Sequence, residues 1–383
     1  MRITETAIPG LLIIDLDVHG DNRGWFKENW QREKFTGLAP ELASFQPVQN
    51  NISFNHAGAT RGLHAEPWDK LVSVAQGKIF GAWCDLREGS ESFGEVVTHE
   101  VGPETAVFVP RGVANGFQAL EETSYCYLVN EHWSAEARYA AVNLNIVDWP
   151  LEPTEISEKD TQHPALEDVS PMPARRILVT GANGQLGRAL KRLLTDAEFC
   201  SHADFDITDP PERNWKQYSA IINCAAYNDV NGAENDRAAA WAVNAEAPAR
   251  LARIAAENQL TLVHVSSDYI FDGTNEVHTE EELPSPLSAY GASKAAGDTA
   301  AQTAPQHYVI RTSWVFGDGE NFMSTMRRLA NKGVEPKVIH DQRGRPTFAE
   351  DLAKGIVHLL NSDADYGVYN LSNSGDTVGR DEI

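Results

Sequence analysis

The chain has 383 residues, enough for two or three domains at about 150 residues each, with 42% apolar and 23% charged side chains, as in folded globular proteins. Its formal charge of −23 is shared, −14 from residues 1–173 and −9 from residues 174–383, so neither part offers the basic surface that nucleic acid needs. No apolar run reaches the ~18 residues of a membrane span, MRITETAIPG lacks the layout of a signal peptide, and Cys84, Cys126, Cys200 and Cys224 form no CxxC pair, which leaves a cytoplasmic enzyme as the expectation.

The first half reads as β-structure. Leu71–Ala75, Lys78–Asp85, Val96–Val101, Ala106–Val109 and Ser124–Asn130 are short, rich in Val, Phe, Tyr and Trp, and separated by Gly, Pro or Asp. Several alternate with period two, as strands with one buried face do, and regular short strands predict a sandwich or barrel. Arg61-Gly-Leu-His64 precedes Lys70 in this region. A histidine beside cations can remove a proton from carbon when a neighbouring ketone acidifies the C–H; the spacing alone favours a hydrogen-bonded structural histidine.

More residues then converge. Asp21-Asn-Arg23-Gly24-Trp-Phe26, Gln49-Asn-Asn51-Ile-Ser53, Arg61–His64, Asp85-Leu-Arg87, Pro110-Arg-Gly112 and Asp148-Trp-Pro150 together resemble dTDP-4-dehydrorhamnose 3,5-epimerase over residues 1 to about 166. The resemblance implies a cupin-like jelly roll that dimerises by exchanging N-terminal strands, hence a homodimer through this domain. It implies His64 as base, held by Asp160, with Tyr127 as acid on the opposite face of the sugar. Lys70 would stabilise the enolate, and Arg23, Gln49, Asn51 and Arg61 would hold the nucleotide. Basic groups in an acidic domain suit a diphosphate ligand. Two departures stand out: the family's Gly-x-x-His-Gly-Phe reads Gly112-Val-Ala-Asn115-Gly-Phe117, placing Asn115 in the substrate pocket, and His64 is followed by Ala65-Glu66-Pro67.

The grammar changes near residue 160. Domains are expected at 1–163 and 174–383, joined by a proline-rich extended linker at 164–173. Beyond it, apolar strands alternate with Ala-rich helices: Arg176–Thr180 and a helix through Leu194, Ala220–Ala226 and a helix across Arg237–Glu257, then Thr261–Ser266. That alternation predicts a doubly wound parallel sheet, a Rossmann-type α/β fold. Gly181-Ala-Asn183-Gly184-Gln185-Leu186-Gly187 follows a strand and opens a helix, the setting in which a helix N-terminus faces a dinucleotide pyrophosphate.

The second strand, roughly Glu198–His202, has no carboxylate at its tip to grip a ribose 2′-hydroxyl, which favours NADPH over NADH; Asp206 and Ile207 are candidates for the adenine side. Tyr290-Gly-Ala-Ser-Lys294 places a phenol and an ammonium on one helix face, where the cation is expected to lower the phenol pKa, and Ser267 ends a strand nearby.

These motifs, with Ser267-Asp-Tyr-Ile-Phe-Asp-Gly273, Arg311-Thr-Ser-Trp-Val315, Asn321-Phe322 and Asp341-Gln-Arg-Gly-Arg-Pro-Thr347, resemble dTDP-4-dehydrorhamnose reductase, an extended short-chain dehydrogenase, from Arg175 onward. The resemblance implies Ser267, Tyr290 and Lys294 as the catalytic trio, Trp314 in the sugar pocket, and Asn223, Ala225 and Ala226 against the cofactor. Family sequences continue past the position matched by Ile383, so an incomplete substrate subdomain is expected. Ala189 stands where members that dimerise through Mg²⁺ carry Glu, so no metal is expected.

The two resemblances name consecutive steps on one nucleotide sugar. They predict a bifunctional enzyme of dTDP-L-rhamnose synthesis; the alternative is a reductase fused to a non-catalytic nucleotide-sugar-binding and dimerisation module.

Overall fold

Alternating and continuous apolar runs each find their counterpart in the computed structural model. It describes all residues except 44, 135–136, 320, 335–341, 363, 380–381 and 383. The chain divides into two units, Met1–Ala174 and Arg175–Ile383.

The first unit contains β1 (Arg2–Glu5), β2 (Leu12–Asp15), β3 (Val18–Asp21), β4 (Gly24–Lys27), β5 (Gln49–Asn55), β6 (Thr60–Ala65) and β7 (Lys70–Gln76). They are followed by β8 (Ile79–Asp85), β9 (Val96–Val101), β10 (Thr105–Val109), β11 (Val113–Ala119), β12 (Thr123–Val129) and β13 (Ala140–Ala141). Two antiparallel sheets result, ordered β1-β2-β10-β7-β12-β5 and β13-β6-β11-β8-β9, while β3 and β4 pair as a separate hairpin. Val72, Val74, Val107 and Tyr125 of the first sheet meet Ile79, Trp83, Val113 and Phe117 of the second. Trp83 is wholly buried and donates from Nε1 to Asn115 Oδ1 at 2.9 Å. Its truncation to alanine would cost about 3–5 kcal/mol.

The outer faces are covered too. Phe35, Leu42 and Phe45 lie on Leu71 and Phe108, which explains why the β7 sequence is apolar almost without interruption. Residues 140–172 cover the other sheet, with Val142, Leu144, Val147 and Met172 packed on Leu63, Cys84 and Leu86. The expected linker is therefore part of the first unit. Met172 is 1% exposed, its N–H donates to Leu86 O at 2.7 Å, and Arg111 Nη1 donates to Pro173 O at 2.7 Å. Proline removes donors, but it does not prevent an extended segment from packing.

In the second unit, β14 (Arg176–Thr180), β15 (Glu198–Cys200), β16 (Tyr218–Asn223), β17 (Thr261–Val265) and β18 (His307–Arg311) form a wholly parallel sheet. The order is β15-β14-β16-β17-β18, completed by Gly367–Asn370. Successive strand residues face opposite layers. Leu178, Ile221 and Leu262 meet Leu251, Ala252 and Ala255, whereas Val179, Ile222 and Val263 meet Leu186, Leu190 and Ile356. Burial on both faces requires the continuous apolar strands seen in the sequence.

The helix expected across Arg237–Glu257 is interrupted: Arg237–Trp241 and Ala247–Asn258 flank a π-turn at Ala242–Glu246. Pro248, in the first turn of the second piece, has no N–H to continue the ladder. The β16 strand stops at Asn223, three residues before the expected end. No helix among the described residues is long and apolar enough to cross a membrane.

Candidate active sites

A cavity of about 710 Å³ opens in the first unit, among β5, β6, β7, β11 and β12. His64 enters it from β6. Its Nε2 lies 2.8 Å from Asp160 Oδ1, while Gly62 N–H donates to Asp160 Oδ2 at 3.2 Å. Asp160 belongs to the short helix Glu158–Thr161, whose N-cap Ser157 accepts from Asp160 N at 3.1 Å. Burial drives the Asp160 carboxyl upward, but His64, the Gly62 N–H and Ser157 together hold it below the ordinary carboxylate value.

Lys70, at the start of β7, is 6% exposed, ion-paired with Glu66 and 5.4 Å from the Tyr127 ring centre. Burial pushes the Tyr127 phenol up, and the Glu66 charge adds to it. Asn115 lines the cavity between two partners, accepting from Trp83 and donating to Tyr125 OH at 3.1 Å. Arg61 and Asn51 line it as well, and Arg61 Nε donates to Asn55 Oδ1 at 2.8 Å.

Two expected nucleotide contacts are placed elsewhere. Gln49 is not among the lining residues and donates from Nε2 to Asn51 Oδ1 at 2.9 Å. Arg23 is exposed on the β3–β4 hairpin and paired with Asp21, so a single chain does not bring it to this cavity.

The second unit has a cleft at the carboxyl ends of β14, β16 and β17, where the strand order reverses. Gly181 turns the chain at φ 69°, and a Cβ there would lie 2.7 Å from Ala225 N. A Cβ on Gly187 would lie 2.5 Å from Gly181 O. Both glycines keep the helix Gln185–Leu193 tight against the sheet, with Gly184 as its N-cap.

Gly184, Gln185, Leu186, Gly187, Ala226, Ser267, Tyr290, Lys294 and Trp314 line the cleft. Asn183 is exposed, and Asn223 is buried beneath the cleft, accepting from Thr180 Oγ1 at 2.7 Å and Ala225 N at 3.3 Å. Asn223 and Ala225 thus shape the turn rather than line the cleft. Asp206 instead closes its own turn, accepting from Thr208 N and Oγ1, and the Ile207 side chain lies in the core. The β15 tip is not free of carboxylate: the following turn folds Asp204 back to accept from Ser201 N at 2.9 Å and Oγ at 2.6 Å. Asp341 lies outside the described residues.

Tyr290 and Lys294 share one face of the helix Ala289–Ala301, whose N-cap Ser288 accepts from Gly291 N at 3.0 Å. Lys294 Nζ donates to Val265 O at 2.7 Å. Burial drives the Lys294 ammonium down to about 8, against the opposing charge of Asp298. The Tyr290 phenol is not lowered: burial pushes it up to about 12, against a hydrogen bond to Ser267. Desolvation wins because neither group has water to stabilise its charged form.

Asp298 escaped sequence reasoning, although it stands four residues beyond Lys294 on the same helix and accepts from Arg311 Nε at 3.1 Å. Glu66 and His163 escaped because their contacts cross a loop and a helix end, which no single periodicity marks.

Residues 5–168 match the family model described as dTDP-4-dehydrorhamnose 3,5-epimerase, and residues 175–380 match the RmlD substrate binding domain. A relative named Protein RmlC homolog from Streptococcus pyogenes is 52% identical over 176 residues, covering 43% of this chain and 89% of the relative. A dTDP-4-dehydrorhamnose reductase of Mycobacterium tuberculosis is 39% identical over 216 residues, covering 53% of this chain and 71% of the relative. Among solved structures, RmlC of Streptococcus suis in complex with dTDP-D-xylose is 48% identical, with a TM-score of 0.43 over 45% of this chain and 94% of that one. The Bacillus anthracis dTDP-4-dehydrorhamnose reductase in complex with NADP is 34% identical, with a TM-score of 0.49 over 55% and 78%. The chain belongs to the RmlC epimerase family through its first unit and to the RmlD reductase family through its second.

Proposed function

We propose that the chain catalyses two consecutive reactions: 3,5-epimerisation of dTDP-4-dehydro-6-deoxyglucose, then NADPH-dependent reduction of the C4 ketone to dTDP-L-rhamnose. The observation that carries the reading is the pairing of a His64–Asp160 dyad and Tyr127 around one cavity with Ser267, Tyr290 and Lys294 around another. The strand order in the first unit, with β5 to β12 laid in two four-strand sets, supports a jelly roll.

In the first cavity, His64 takes the proton from C3 or C5, its imidazolium stabilised by Asp160. Lys70 faces the enolate oxygen, and Tyr127 returns a proton from the opposite face, which inverts the carbon. Arg61 and Asn51 hold the nucleotide, with Asn115 shaping the sugar pocket.

In the second cleft, close backbone packing at Gly181 and Gly187 holds the tight turn that presents the helix N-terminus, with Gly184 and Gln185 lining the cleft, and this fits a dinucleotide laid on that terminus. Gly184, Gln185, Leu186 and Gly187 would hold the diphosphate, with Tyr290 and Lys294 at the ribose. NADPH supplies the hydride to C4 when bound. Ser267 orients the ketone, Tyr290 gives its proton to the O4 oxygen, and Trp314 closes the sugar side. A phenol held up at about 12 keeps that proton until the oxygen becomes basic.

The unit is further read as a homodimer through its β-sheets, because Trp25 and Phe26 on the hairpin and Ile52 and Phe54 on β5 are exposed apolar side chains. Arg23 would then serve a partner's cavity. Joining both sites in one chain raises the effective concentration of the keto-sugar at the second.

The test supplies dTDP-4-dehydro-6-deoxyglucose in D₂O, without and then with NADPH. Deuterium at C3 and C5, followed by a rhamno-configured product, is expected. Reduction without any exchange would leave the first unit as a binding and dimerisation module.

A further inference from the structure

Beside the first cavity, against His64 and Asp160, lies a histidine that the proposed reaction does not use. His163 follows the helix carrying Asp160, and its side chain is 7% exposed. One ring nitrogen faces the Val142 backbone, but neither makes a well-formed hydrogen bond among the described residues, an unfavourable state for a buried polar group. Its Nε2 lies 3.8 Å from Asp160 Oδ1, and its ring meets the His64 ring edge-on with centroids 5.0 Å apart.

One ligand atom from each of His64, Asp160 and His163 lies within 4.8 Å of the others. A separation of 3.8 Å is too long for a hydrogen bond. It suits two donors sharing an ion, since ligands about 2.0–2.2 Å from zinc at tetrahedral to trigonal angles stand roughly 3.3–3.8 Å apart; His64 Nε2, 2.8 Å from the same oxygen, opens to that spacing when the ion replaces their hydrogen bond. Two imidazoles and a carboxylate favour zinc, cobalt or nickel over magnesium or calcium. His64 is the least buried of the three and lines the cavity, which leaves a further coordination position open to water.

We propose that His64, Asp160 and His163 form a binding site for a divalent transition-metal ion, typified by Zn²⁺, whose occupation switches off the epimerisation. The switch, though not the site, rests on the reading of His64 as the base. Metal binding requires the lone pair of His64 Nε2, the nitrogen now bonded to Asp160. A neutral ring with metal on Nε2 carries its one proton on Nδ1. That is the nitrogen that must be unprotonated to take a proton from carbon. Asp160, drawn to the ion, also ceases to stabilise an imidazolium.

The test uses the full chain, stripped of metal by a chelator and titrated with Co²⁺ while ligand-field absorption is followed. One Co²⁺ per chain, displaced by Zn²⁺, is expected, and His163→Ala should weaken binding ~100-fold or more. His163→Gln, which keeps more of the side-chain volume, should weaken it similarly and guards against misfolding of the first variant. In the deuterium-exchange assay, saturating Zn²⁺ should slow the wild type at least ~10-fold by blocking the general base. Both variants should exchange at the metal-free wild-type rate with or without Zn²⁺. Absence of stoichiometric Co²⁺ binding, or unchanged affinity in both variants, overturns the site. Full exchange by the zinc-loaded wild type overturns the switch. Absence of exchange in the metal-free wild type removes the epimerase reading and the switch with it, while the cobalt titration still decides the site.

Discussion

The two sites hold their titratable groups by opposite means. In the first unit a partly exposed histidine is prepared by a hydrogen-bonded carboxylate, and a buried lysine is neutralised by Glu66. In the second, burial dominates: it carries a lysine down to about 8 and a phenol up to about 12 with few direct partners. Abstraction of a proton from carbon needs a base whose charged form is stabilised. Delivery of a proton to a nascent alkoxide needs an acid that does not lose it early.

The sharpest way to break this contrast is His64→Ala. Exchange at both C3 and C5 should fall by ~10³-fold or more, while reduction of pre-epimerised keto-sugar proceeds at the wild-type rate. Exchange persisting at either carbon would assign its base elsewhere. Tyr290→Phe is the converse, lowering reduction ~10²-fold or more with exchange and NADPH binding intact. Undiminished turnover by that variant would remove Tyr290 as the acid.

A pH profile sharpens the contrast further. The Lys294 ammonium is present below about 8 and lost as pH rises through it, whereas Tyr290 stays protonated well beyond. Reduction should therefore decline above about pH 8, at most tenfold per pH unit. Asp298→Asn should shift the decline to lower pH, because the charge opposing burial is gone. A profile flat to pH 10 would contradict the assignment.

The smallest expected effect is on stability. Asp85 is fully buried and accepts from Arg87 Nη2 at 2.7 Å, Ser90 Oγ at 2.7 Å and Ser92 Oγ at 2.6 Å. Burial raises its pKa, but these bonds prevail and hold the carboxyl at about 2, below its ordinary 3.8. Its contribution is complete above pH 4 and lost as pH falls through 2. Asp85→Asn should cost the first unit about 2 kcal/mol at neutral pH, a difference that shrinks in acid. Urea unfolding of wild type and variant across pH measures it, and equal midpoints at pH 7 would refute it.

Much of this was legible in the sequence because strong local patterns coincide with it. The near-continuous apolar runs of β14, β16 and β17 announce burial on both faces, and Gly181 to Gly187 marks the turn that opens the cleft. Tyr290 and Lys294 are readable because helical spacing fixes their shared face. What escaped depends on contacts distant in sequence or on turns. The Ile207 side chain enters the core because the chain bends at Asp206 and Thr208, and Asp204 reaches Ser201 through a turn that composition does not show. Charge sign alone could not tell that burial outweighs the Ser267 hydrogen bond in setting the Tyr290 phenol.

The packed segment 140–173 has a consequence for dissecting the gene. A fragment ended at residue 163 would keep every residue assigned to the first cavity, yet strip Met172 from Leu86 and leave Arg111 without the Pro173 carbonyl. A division at Ala174, where the two units part, retains those contacts. Where the first half of this fusion can be cut is thus set by what covers the sheet, some fourteen residues beyond Asp160, the last group assigned to the chemistry.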